Sequence, residues 1–172
     1  MPKIKQRFSG HYGHVNGLVR ISGDFPPYSC FEFKFEFKID TGACWTLLFD
    51  NDFLYVCGVM GWTSYRNPDI INWIRLSPYF EEEKDKVYCP VGKLGPVFRI
   101  RSSNVSLLDS TGNVPRGWMV QPHLRGTFST QFLNPSSVNG RESHISLIGV
   151  DKLNELRKFV WAHPSNRLTL FR

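Results

Sequence analysis

The segment Phe31-Glu32-Phe33-Lys34-Phe35-Glu36-Phe37-Lys38 alternates aromatic and charged residues without a break over eight positions. In a strand, successive side chains point to opposite faces, so only a strand puts all four Phe on one side and every charge on the other. A helix would scatter the same residues around its axis. The chain therefore contains a half-buried strand with an aromatic inner face. Gly23-Asp24-Phe25-Pro26-Pro27 before it reads as a turn, and Gly17–Ser22 as the partner strand of a hairpin. The wider composition agrees: aromatic residues make up 15% of the chain, with 14 Phe, the usage of a β-rich protein. With 172 residues, 41% of them hydrophobic and 21% charged, the chain suits one domain over 1–172 with a core of its own.

Short apolar runs follow at Val87–Val91, Val97–Ile100, Val105–Leu108, Trp118–Val120 and Phe128–Leu133, separated by Gly, Pro, Asn and Ser turn residues. This is the pattern of an all-β sandwich or barrel. Asn67-Pro68-Asp69-Ile70-Ile71-Asn72-Trp73-Ile74 predicts a short helix with a cap, a first-turn proline and three Ile on one face. Late in the chain, His144–Ile148 predicts a strand. Asp151–Val160, with Leu153, Leu156, Phe159 and Val160 at helical spacing, predicts a helix, and Arg167–Phe171 a last strand. No apolar run reaches the ~18 residues of a membrane helix, and the basic N-terminus has no apolar stretch behind it, so a cytoplasmic protein without membrane contact is expected. Cys30, Cys44, Cys57 and Cys89 contain no Cys-x-x-Cys pair and read as reduced thiols. His11 and His14 lack the further ligands of a metal site, and Asp50-Asn51-Asp52 lacks the rest of a calcium loop, so neither metal nor cofactor is expected. The net charge of +6 is spread over Lys3, Lys5, Arg7, Arg99, Arg101 and others rather than set in an aromatic-basic strand, so nucleic acid is not the expected partner.

The Phe strand runs directly into Ile39-Asp40-Thr41-Gly42-Ala43, which presents a carboxylate on a tight turn at the end of a buried strand. Asp40-Thr41-Gly42-Ala43 resembles the active-site signature of aspartic proteases. Ser146-Leu147-Ile148-Gly149-Val150-Asp151-Lys152-Leu153 resembles the segment that packs behind the catalytic loop in the retropepsin-like (retroviral-type) members. Cys89-Pro90-Val91-Gly92-Lys93-Leu94-Gly95-Pro96-Val97 is similar to the tip of their flap hairpin. The resemblance implies a mainly all-β fold, a single-lobe acid-protease barrel with one principal C-terminal helix at about Val150–Val160. It makes the stretch around 50–86 an insertion. It also implies that Asp40 is catalytic, that Thr41, Gly42 and Ala43 form the active-site loop, and that Ile148 and Gly149 support it. Gly92, Lys93, Leu94 and Gly95 become the flap over the substrate. Retroviral members often pair an acid after the turn with an Arg after the late Gly. Here Cys44 and Val150 stand in those places, and since both charges are absent together, no buried ion is left without its partner.

Peptide hydrolysis of this kind needs two carboxylates that share a proton across one water. The chain holds one Asp-Thr-Gly; Asp109-Ser110-Thr111-Gly112 has an extra residue and reads as a turn. A second copy must then supply the second Asp, which implies a homodimer acting on a peptide or protein substrate, with the terminal strands Ile4–Phe8 and Arg167–Phe171 helping to pair the protomers. Cys44, beside the turn, reads as a buried structural thiol. A catalytically silent peptide- or protein-binding module of the same fold and a basic nucleic-acid-binding β-barrel are the alternative readings.

Overall fold

The aromatic strand forms as its pattern requires. In the computed structural model, which describes residues 3–7, 13–25, 28–62, 67–84, 94–115, 124–133, 145–154, 158–162 and 167–171, it is β3 (Tyr28–Ile39). Its antiparallel partner is β2 (His14–Phe25), in a register that sets Val15, Gly17, Val19 and Ile21 opposite Phe37, Phe35, Phe33 and Phe31. Phe33 and Phe37 are buried and Phe31 and Phe35 half-buried, while Glu32, Lys34, Glu36 and Lys38 are exposed. Gly23–Phe25 thus belongs to the strand rather than to the turn.

The chain continues through β4 (Leu47–Phe49), α1 (Asp50–Val59), α2 (Asn67–Leu76), β5 (Phe80–Glu82), β6 (Leu94–Ile100), β7 (Ser103–Leu107) and β8 (Arg125–Ser129). After β8 come α3 (Thr130–Leu133), β9 (Leu147–Ile148), α4 (Val150–Leu153), β10 (Lys158–Ala162) and β11 (Arg167–Phe171). Eight strands form one sheet in the order β5-β6-β8-β4-β9-β3-β2-β7, and β1 (Lys3–Arg7), β11 and β10 form a second sheet in that order. The fold is mostly β, as expected. Among the described residues the large sheet runs from β5 to β7 without closing, so the strands give the mostly β fold but not clearly the closed or nearly closed barrel expected.

Two further expectations are corrected. The principal C-terminal helix over Val150–Val160 is a single turn, α4, and Phe159 and Val160 lie in β10, paired with Leu170 and Thr169 of β11. The run Phe159-Val160-Trp161 is β-branched and aromatic, and hairpin pairing overrides its helix-like spacing. Phe128–Leu133 is strand only to Ser129 and then turns into α3. The helix expected around Pro68–Ile74 is present as α2, with Ile70 and Ile74 buried. In the terminal sheet β11 has a neighbour on each side within its own chain, so among the described residues only β1, of the two terminal strands expected to pair protomers, keeps an open edge.

The sequence reading missed α1. It follows β4 without a break, and its apolar residues give no clear stripe. The core gathers around it. Phe53, fully buried, meets the Phe80 ring edge-on at 5.6 Å and lies 5.0 Å from Phe128. Gly126 of β8 makes this possible, because a Cβ there would occupy the space of the Phe53 ring. No helix among the described residues is long and apolar enough to cross a membrane.

Candidate active site

Asp40 stands at the end of β3, where the inner-face strand gives way to the turn. β9 pairs with β3 in parallel, setting Lys38 opposite Leu147 and Ile39 opposite Ile148, and it pairs antiparallel with β4 through Leu47. The two-residue β9 thus lies between the very strands that the Asp40–Thr46 connection joins. The ladder runs on into the turn itself, since Asp40 N donates to Ile148 O at 3.1 Å. Ala43 N donates to Asp40 O at 3.2 Å, and Gly42 N donates to Asp40 Oδ1 at 2.8 Å. One carboxylate oxygen is thereby fixed by the loop that carries it, while the residue stays half-buried and Thr41 and Gly42 are exposed. An aspartate held by a local amide in this way keeps one direction without a neighbouring side chain.

The segment after β9 locks the turn from behind. Val150 N donates to Ala43 O at 2.8 Å and Asp151 N to Cys44 O at 3.3 Å. Gly149 passes so close to the turn that a Cβ would overlap the Trp45 carbonyl, so no other residue fits there without moving the loop. Thr46, fully buried, completes the joint. Its N and its Oγ1 both donate to Asp151 Oδ1 at 2.8 Å, and Oγ1 accepts from Gly149 N at 3.2 Å. Thr46 and Asp151 are 105 positions apart in the chain. Asp151 lies within the quoted late segment, but nothing in the sequence singled out Thr46 as its partner.

The structure thus brings Asp40, Thr41, Gly42 and Ala43 together with Ile148 and Gly149. Of the residues read as the flap, Gly92 and Lys93 lie outside the described residues. Leu94 and Gly95 open β6, with β8 and β4 between that strand and β9. A Cβ on Gly95 would meet Leu133 at 2.7 Å and the Phe128 carbonyl at 2.8 Å, so this position is closely packed. Cys44 is exposed, which corrects the reading of it as a buried thiol: its carbonyl is turned inward to Asp151 and its side chain is left on the solvent side. Among the described residues the buried thiol is Cys57, whose pKa burial pushes well up.

Other polar groups that the sequence singled out bond within the fold. Asp50 opens α1 at a φ of 37° and accepts from Ser129 N and Oγ, so Asp50-Asn51-Asp52 is a helix start and not a cation loop. Asp52 Oδ2 accepts from Ser146 Oγ at 2.6 Å. Burial raises its pKa, the Ser146 bond opposes that, and the nearby Glu36 charge adds to it. His14 is buried and its Nδ1 lies 2.8 Å from Glu36 Oε1, while His11 lies outside the described residues. No cluster of metal-ligating side chains occurs among the described residues. Asp109 accepts from Thr111 N and Asn113 N in a tight turn, as its sequence suggested.

Among solved structures, the chain is similar to a retropepsin-like aspartic protease from Rickettsia conorii. The alignment covers 98% of this chain and 89% of that one, at 16% sequence identity and a TM-score of 0.45. No family model and no curated protein sequence matches the chain.

Proposed function

We propose that the protein is a homodimeric aspartic endopeptidase in which Asp40 of each protomer supplies one of the two carboxylates that activate a water. The observation that carries this reading is the main-chain bonding of the Asp40–Ala43 turn to Ile148–Asp151. Two segments that separately resemble the same family meet at one place, with the carboxylate held by its own loop at 2.8 Å and left half-buried. A carboxylate with one oxygen fixed and the residue only half-buried is suited to meet a second carboxylate across a two-fold axis.

In such a pair like charges at close range cannot both ionise, so one proton is shared. The ionised member takes a proton from the water as it attacks the peptide carbonyl; the protonated member donates a hydrogen bond to that carbonyl oxygen and later gives its proton to the leaving amine. Titration belongs to the pair. The substrate would lie as an extended peptide held by main-chain hydrogen bonds.

The test is cleavage of a broad peptide library between acid and neutral pH by wild type and by Asp40→Asn, with sedimentation on the same samples. Cleavage by a dimer that the substitution abolishes supports the proposal. Wild-type protein that binds peptides but cleaves none would make it a binding module, and cleavage by a monomer would refute the two-chain site.

A further inference from the structure

Arg125 is a buried cation, 7% exposed, in the first position of β8. Two elements converge on it. Its guanidinium carbon sits 3.6 Å from the ring centroid of Trp45, in the connection that carries Asp40. Its Nε donates to Glu83 Oε1 at 2.8 Å, with the two side chains 9% and 20% exposed. Glu83 directly follows β5 and prolongs the β5–β6 ladder, since its N donates to Val97 O at 2.8 Å. The Arg125 main chain reaches the same connection, with N donating to Thr46 O at 3.2 Å.

We propose that Arg125 is a positioning residue: stacked on Trp45 and paired with Glu83, it ties the stem of the β5–β6 hairpin to the connection that carries Asp40. The proposal rests on the reading of Asp40 as the reacting carboxylate. A planar guanidinium fixes both a ring face and a carboxylate direction, which an ammonium cannot do. Removed from water, both contacts gain strength over their surface equivalents.

Hydrogen exchange on the full chain tests this without requiring activity. Arg125→Met should speed exchange of the amides of residues 42–46 and 150–151 by about tenfold or more while leaving the β2–β3 ladder unchanged. Arg125→Lys, which restores the charge but not the plane, should recover only part of that protection. Glu83→Gln should have a smaller effect on the same amides and none when added to Arg125→Met. If Arg125→Met fails to fold, Glu83→Gln and Trp45→Phe carry the same comparison. In an active enzyme, kcat should fall with KM little changed. Exchange that rises equally in the turn and in β2–β3, or does not rise at all, overturns the tie. A localised response in a protein that cleaves no peptide keeps the tie and removes the peptidase reading. Unchanged turn exchange and unchanged kcat in an active Arg125→Met enzyme remove the tie and keep the peptidase.

Discussion

Thr46→Val isolates the joint behind the Asp40 turn. Valine keeps the β-branched shape of threonine and exchanges only the hydroxyl for a methyl. At this fully buried position the exchange removes a bond to a carboxylate, Oγ1 to Asp151 Oδ1 at 2.8 Å, which contributes about 1.5–3 kcal/mol. It also leaves Gly149 N, which donates to Oγ1 at 3.2 Å, without an acceptor, at a further cost of about 1–3 kcal/mol. The added methyl offsets roughly 0.8 kcal/mol through burial. The net loss is about 2–5 kcal/mol, and with a urea slope near 2 kcal/mol/M the unfolding midpoint should fall by about 1–2.5 M. Thr46→Ser is the control. It keeps both hydrogen bonds and loses one buried methyl, at about 1 kcal/mol. Urea denaturation of the three proteins decides the matter, with the order wild type, Ser, Val expected at unchanged slope. Serine and valine variants of equal stability, or a valine variant within about 0.5 kcal/mol of wild type, would refute the reasoning, because the hydroxyl would then contribute nothing to the joint.

Asp40→Asn should lower peptidase activity by at least about 10²–10⁴ with stability level or raised, and mixed dimers of wild-type and Asn protomers should be as inactive as the double mutant in a peptide-cleavage assay. Burial raises the folded pKa of Asp52 above its ordinary value of 3.8, so the folded state holds its proton over a pH range in which the unfolded chain has lost it. Stability from this group is therefore lost as pH rises from 3.8 through the folded pKa. Asp52→Asn should gain stability relative to wild type at neutral pH and lose that advantage below 3.8, as thermal unfolding across pH would show. Phe53→Ala, at the fully buried ring between Phe80 and Phe128, should cost about 3–5 kcal/mol in urea denaturation.

How legible each part was follows from the range over which its cause acts. The alternation in β3 and the run Ile39–Ala43 are local, and each was readable where it stood. The late segment Leu147–Leu153 was readable by resemblance, and its place behind the turn follows once β9 pairs with β3. The helix α1 was hidden because Asp50, at its start, resembles a loop residue and is held by Ser129, 79 positions away. The strand β10 was hidden because Phe159 and Val160 satisfy a helical spacing, and only the register with Leu170 and Thr169 distinguishes the two. The Thr46–Asp151 joint and the Arg125 contacts depend on partners brought in by sheet order, which no local pattern of residues encodes.

The insertion of β9 between β3 and β4 has a consequence for the order in which the molecule can be made. The strands on either side of the Asp40–Thr46 connection have no ladder to each other; each pairs with β9. During synthesis, the β2–β3 hairpin can form early from neighbouring residues, but the acidic turn has nothing to close against until residues 147 to 151 have left the ribosome. A nascent or truncated chain lacking those residues carries the carboxylate on an unsupported loop.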